Sequence, residues 1–152
     1  MSVPAFLLQC IMSFLATLAF AVLYHAPRKE YFWCGFTGAA GWACYTILMQ
    51  YQPSPVTASL LAVLVLALFA RVFAVRRCCP STIFLICGIF PLVPGAGIYY
   101  TAYHFIMGEN ELFAAKGVET IKIAVAIALG IVLVLSLPTK LFAVFAPNKK
   151  SA

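Results

Sequence analysis

Cys87-Gly88-Ile89-Phe90-Pro91-Leu92-Val93-Pro94-Gly95-Ala96-Gly97-Ile98-Tyr99-Tyr100-Thr101 occupies the middle of an apolar run from about Ser81 to Met107 that is long enough to cross a bilayer. Proline has no N–H, so in a continuous helix Pro91 would strand the carbonyl of Cys87 and Pro94 that of Phe90. Hydrocarbon offers those groups no water, so irregular backbone at this depth must be buried in protein or line a polar cavity. Pro94 suits the first turn of a new half-helix, whose early N–H groups around Gly95, Ala96 and Gly97 lack intrahelical partners. Such donors, at the positive end of a helix dipole, favour a carboxylate, and freed carbonyls favour an ammonium group or cation. Two readings of the break follow from these residues: a ligand site for a small zwitterion or organic anion, or a packing kink whose glycines admit a neighbouring helix.

Composition places the run in context. With 64% hydrophobic and 9% charged residues, the chain is far from the roughly 45–50% apolar and 25% charged of soluble domains. It reads as an all-α integral membrane protein. The net charge of +6 is scattered through short connections, which fits the positive-inside pattern and not a nucleic-acid surface. The 6 cysteines fall mostly within apolar segments, with no CxxC pair and no Cys/His cluster, so neither a metal site nor a disulfide framework is expected.

Hydropathy and punctuation divide the chain into five transmembrane helices, at about 4–24, 32–50, 56–75, 81–107 and 118–137, followed by a short basic tail over 139–152. The fourth is the broken one. Within the second, Gly35, Gly38, Ala39 and Gly41 form a small-residue surface for close helix packing. Basic residues group at Arg28 and Lys29, at Arg71, Arg76 and Arg77, and in the tail, all on one side of a five-span arrangement. The N-terminus is therefore placed outside and the C-terminus in the cytoplasm.

Beyond the break, Gly97, Thr101 and His104 follow i, i+4, i+7 spacing and share a helix face, with Tyr100 beside it. His104 reads either as a hydrogen-bonded interfacial residue or as a proton carrier. Glu119 and Lys122, three apart near the start of the last span, read either as a snorkelling pair or as further candidates for ion or proton coupling. Pro91, Pro94, Gly95, Ala96, Gly97, Tyr100, Thr101 and His104 thus make up the candidate substrate-binding set, because interrupted hydrophobic segments point to transporter binding sites. No catalytic Ser/His/Asp spacing and no phosphate-cradling GxxxxGK is present, so no enzyme activity and no cofactor is expected.

Several stretches together resemble the threonine/serine exporter family, specifically its small five-helix subunit. They are Ala26-Pro27-Arg28-Lys29-Glu30, Trp33-Cys34-Gly35 with Gly38 and Gly41, Ile89-Phe90-Pro91-Leu92-Val93-Pro94-Gly95, Tyr100-Thr101, and Ala126-Ile127-Ala128-Leu129-Gly130-Ile131. The resemblance implies export of small hydrophilic metabolites, amino acids or short dicarboxylates such as succinate, across the bacterial inner membrane. It also implies a larger partner subunit of the same family. Two rivals remain open on sequence: a non-transporting scaffold subunit docking through the small-residue second helix, and a small homo-oligomeric channel.

Overall fold

A computed structural model of the chain describes residues 3–51, 54–138 and 141–142. The basic tail expected over 139–152 lies largely outside the described residues. All regular structure among the described residues is helical. It comprises α1 (Val3–Leu23), α2 (Tyr31–Tyr51), α3 (Pro55–Arg77), α4 (Ser81–Ile89), α5 (Gly95–Ile106) and α6 (Asn110–Leu135), with 3-10 turns at Arg28–Glu30 and Phe90–Leu92. Three of these, α1, α3 and α6, are long and apolar enough to cross a membrane, and the bent pair from Ser81 to Ile106 makes a fourth candidate when counted as one span. At 21 residues α2 equals α1 in length, about 31 Å at 1.5 Å per residue, but its Gly, Thr, Tyr and Trp content dilutes its apolarity.

Local chemistry sets the helix ends. α1 stops where His25 takes a left-handed conformation (φ 52°), letting the Ala26 N–H reach back to the Ala21 carbonyl at 2.9 Å. α3 opens with Pro55, whose missing N–H is no loss in a first turn, and closes on left-handed Cys78. α6 begins at Asn110, well before the apolar run at Val118, because the α5–α6 turn at Gly108 (φ 75°) lets the helix start straight away.

The core forms around α2 and α3. α2 packs against α1, α3 and α4, while α3 also packs against α4 and α6. Lipid tails are as apolar as leucine, so close backbone approach and interhelical hydrogen bonds must hold such helices together. On the α1 side of α2, a Cβ at Gly35 would come within 2.7 Å of the Phe14 ring, and one at Gly38 would overlap the Thr17 side chain. The Ser13 hydroxyl crosses the same seam to the Gly38 carbonyl at 3.2 Å. On the other side, Gly41 faces Leu66 of α3 and Leu92 of the break. In α3 the buried Ala58, Ala62, Leu66 and Ala70 repeat at every fourth position, a ridge of mostly small side chains that lets α2, α4 and α6 close in. Gly130 of α6 meets Val63 and the Leu60 backbone in the same way.

One ion pair fastens the connections at one end of the bundle. Glu30, only 4% exposed, accepts from Arg77 Nε at 3.1 and 2.9 Å on its two oxygens and from Nη2 at 3.0 Å. Arg77 also lies 5.9 Å over the Trp33 ring. Arg71, one and a half turns earlier, donates to the Leu137 carbonyl and sits over the Phe142 ring, so it ties α3 to the end of α6 instead of joining Arg76 and Arg77 at the surface. Gly38→Ala is expected to destabilise the bundle by about 1–3 kcal/mol, since Thr17 is fully buried and cannot step aside. A lowered midpoint of denaturant unfolding in detergent checks this, and an unchanged midpoint refutes the seam.

Candidate substrate site at the broken helix

Pro91 by itself does not break the chain. It falls at the start of the 3-10 turn Phe90–Leu92, where no amide hydrogen is needed, and Phe90 stays in the right-handed helical region. The bend comes at Val93, extended at φ −62° and ψ 130° as the residue before a proline prefers, and the two half-helices meet at 47°. The Phe90 carbonyl is not stranded, because it accepts the Val93 N–H at 3.2 Å. Pro94 caps α5, the Gly95 N–H turns back to the Val93 carbonyl at 2.8 Å, and the Ile98 N–H reaches the Pro94 carbonyl at 3.1 Å. The amides of Ala96 and Gly97 have no such backbone partner among the described residues, and no side chain caps the helix. The break is anchored by Phe90, stacked on Phe20 of α1 at 3.9 Å, and by buried Leu92.

These elements line a half-open cavity of about 170 Å³. Its walls are the break from Pro91 to Ala96, Trp42 and Tyr45 of α2, Ser59 of α3 and Ile123 of α6. That is below the roughly 300 Å³ at which drug-sized pockets begin, a size for a small metabolite. A Cβ at Gly95 would meet nothing within 4 Å, and Gly95 and Ala96 are both exposed, so this side of the cavity is uncovered. Trp42 and Pro91 also line a second cavity of about 360 Å³ against α1, so one indole and one proline ring form the partition between the two.

Of the residues singled out from the sequence, Pro91, Pro94, Gly95 and Ala96 come together at this cavity. Gly97 and Thr101 face α6. A Cβ at Gly97 would approach Thr120 Oγ1 to 2.5 Å, and the Thr101 hydroxyl donates to the Gly97 carbonyl at 2.7 Å. A larger apolar groove of about 480 Å³ runs along this α5–α6 seam, but Thr101 and Thr120 both direct their hydroxyls to their own helices and leave it without polar anchors. Tyr100 is exposed beside Tyr99, on a helix that buries none of its residues and packs chiefly on α6. His104 stands at the far end of α5, with Nδ1 2.5 Å from Glu109 Oε2. Glu119 pairs with Lys116 at 2.9 Å and not with Lys122, which is exposed. Gly35 and Gly38 face α1, Gly41 faces α3 and the break, and Ala39 is half-buried.

Sequence reasoning missed Trp42, Tyr45 and Ser59. Trp42 and Tyr45 stand three apart and present one helix face, with ring centroids 5.4 Å apart. That spacing was the available signal, though nothing local says which helix it meets.

Apolar helices of bilayer length make this a multi-pass membrane protein, and a span interrupted around a cavity is how transporters present backbone polarity at membrane depth. The chain belongs to the threonine/serine exporter family, whose model, described as Threonine/Serine exporter, ThrE, matches residues 9–137. Members of that family are transporters rather than enzymes. No curated protein and no solved structure matches the chain.

The seam yields a test of the α5–α6 hairpin. Gly97→Ala alone should destabilise the protein, and Gly97→Ala in a Thr120→Ala background should cost about 0.5–3 kcal/mol less, because the opposing hydroxyl is gone. A double-mutant cycle on unfolding midpoints reads the coupling, and additive effects would refute the contact.

Proposed function

We propose that this chain is one half of a secondary exporter of small zwitterions or carboxylates, with the cavity at the Pro91–Ala96 break as its substrate site. The observation that carries this is the presence of Ala96, whose amide has no backbone partner, in the wall of a small cavity beside an uncovered Gly95, with the unpartnered Gly97 amide next along the first turn. A carboxylate placed there meets two N–H donors and the positive end of α5, so binding needs no arginine at membrane depth. The substrate class is threonine/serine-type amino acids or short dicarboxylates.

The topology we propose has five spans, with α2 crossing as well and α4–α5 crossing as one broken element. Two contacts support it. The Glu30–Arg77 pair sets the α1–α2 and α3–α4 connections at the same end, and the Arg71 contact with Leu137 brings the end of α6 there too. That end carries Arg28, Lys29, Arg76 and Arg77, which favours the cytoplasmic side of a bacterial inner membrane and an external N-terminus. Five spans are an odd number, and a like-folded larger subunit inserted the opposite way would complete an inverted repeat. The exposed aromatic face of α5 is free to meet such a subunit, whereas Gly35 and Gly38, the docking surface of the scaffold alternative, are already covered by α1. His104, with Glu109 beside it, is the residue we propose for proton coupling, ahead of Glu119 and Lys122.

Efflux of labelled threonine, serine and succinate, from cells expressing this chain alone, the larger subunit alone and both, tests the assignment. Export by the pair only is expected, and export by this chain alone would replace the half-transporter with a homo-oligomer. Gly95→Leu should abolish export while leaving insertion and expression intact, since it adds bulk at the cavity wall without striking the fold. Undiminished export in that variant would remove the cavity from the pathway.

A further inference from the structure

Among the described residues, the buried hydroxyls belong to Ser13, Thr17, Thr37, Thr46 and Ser59. Four of them donate to a backbone carbonyl: Ser13 to Gly38 at 3.2 Å, and Thr17, Thr37 and Thr46 each to the carbonyl one turn back at 2.8 Å. Ser59 is the exception. It is 2% exposed and lines the cavity at the break, and it makes no carbonyl hydrogen bond like those of the other four among the described residues. Polar groups are completed by protein, water or ligand in nearly all native structures, so a hydroxyl that borders a cavity and is not committed to a helix carbonyl is open to a partner from outside the chain.

We infer that Ser59 is the specificity-determining residue of this cavity, reading the hydroxyl of a small β-hydroxy-α-amino acid. The inference rests on the cavity being the substrate site and adds to it the group that tells one substrate from another. The polar groups around the cavity are complementary to such a molecule. The Ala96 and Gly97 amides supply donors for its carboxylate. The carbonyls of Pro91 and Leu92, just before the break, accept no backbone N–H beyond their own turn and suit its ammonium group. Ser59 enters from α3, on a different wall, and both donates to and accepts from a hydroxyl. Trp42, Tyr45 and Ile123 complete the walls with carbon surface for the short aliphatic part. An apolar wall discriminates weakly against an isostere that lacks a hydroxyl, whereas a site that hydrogen-bonds the hydroxyl rejects that isostere strongly. Without Ser59 this cavity would hold amino acids of the right size and not tell them apart.

The chain has 2 tryptophans, and Trp42 is in the cavity wall, so the protein carries its own reporter. Trp33→Phe leaves Trp42 as the single indole. The full chain in lipid nanodiscs is titrated with L-threonine and with L-2-aminobutyrate, which lacks only the hydroxyl, and Trp42 emission is followed. Saturable binding is expected with threonine about tenfold tighter than 2-aminobutyrate. Ser59→Ala should weaken threonine by about that factor, leave 2-aminobutyrate unchanged, and not lower the unfolding midpoint, because no internal hydrogen bond is lost. A merely structural role for Ser59 would move both ligands together. If Ser59→Ala keeps the threonine preference while Gly95→Leu abolishes the signal, the inference on Ser59 is overturned and the cavity stands. If Gly95→Leu leaves both titrations intact, or the unsubstituted cavity gives no saturable change with threonine, the cavity reading falls and Ser59 with it.

Discussion

An amide or carbonyl without a partner costs several kcal/mol in hydrocarbon, and a chain that interrupts a helix at membrane depth must surround the interruption with itself. Much of this architecture answers that constraint. Phe90 is held by stacking on Phe20 of α1, Leu92 is buried near Gly41 of α2, and the remaining wall comes from α2, α3 and α6. Four different helices therefore contribute to the packing around the break. The small cavity that results borders the break on its inner side, while Val93, Gly95 and Ala96 stay exposed on the other.

The enclosure depends on how close α2 comes to its neighbours. Gly35 and Gly38 let α1 approach until Phe14 and Thr17 touch its backbone, and Gly41 does the same for Leu66. Threonine and serine side chains lock the approach without leaving polar atoms loose, since Thr17, Thr37 and Thr46 bond within their own helices and Ser13 bonds across. The Glu30–Arg77 pair acts at the ends. Because Glu30 is buried and both its oxygens are engaged, it fixes which connections lie side by side more than it adds net stability. By contrast, α5 buries nothing and leans chiefly on α6, so the half-helix that supplies the free amides is the least constrained element of the fold.

The sequence showed most where the signal is local. Pro91 and Pro94 within an apolar run reveal an interruption, and glycines at 35, 38 and 41 reveal close packing, because each follows from what one residue type can do to a helix. The location of the bend was less legible. Pro91 is absorbed in a tightened turn, and only Val93–Pro94 redirects the chain. Which side chains pair was not legible from spacing. Glu119 sits three residues from both Lys116 and Lys122, and spacing alone does not choose the former. Glu30 and Arg77 are far apart in sequence, as are Ser59 and the break, and their contact is a product of the packing of α2 and α3. Tyr100, Thr101 and His104 share a half-helix with the free amides, yet none of them lines the cavity: Thr101 faces α6, His104 meets Glu109 and Tyr100 is exposed.

Gly95 and Gly97 show how differently one residue type is constrained two positions apart. Gly97 is held by Thr120, whose hydroxyl occupies the place a Cβ would need, whereas Gly95 borders open space. In any lineage that keeps this hairpin, positions 97 and 120 must change together, a larger residue at one requiring a smaller one at the other. Position 95 answers to no neighbour within the chain. Variation at 95 is therefore free of the fold's packing, whereas covariation of 97 with 120 records its upkeep.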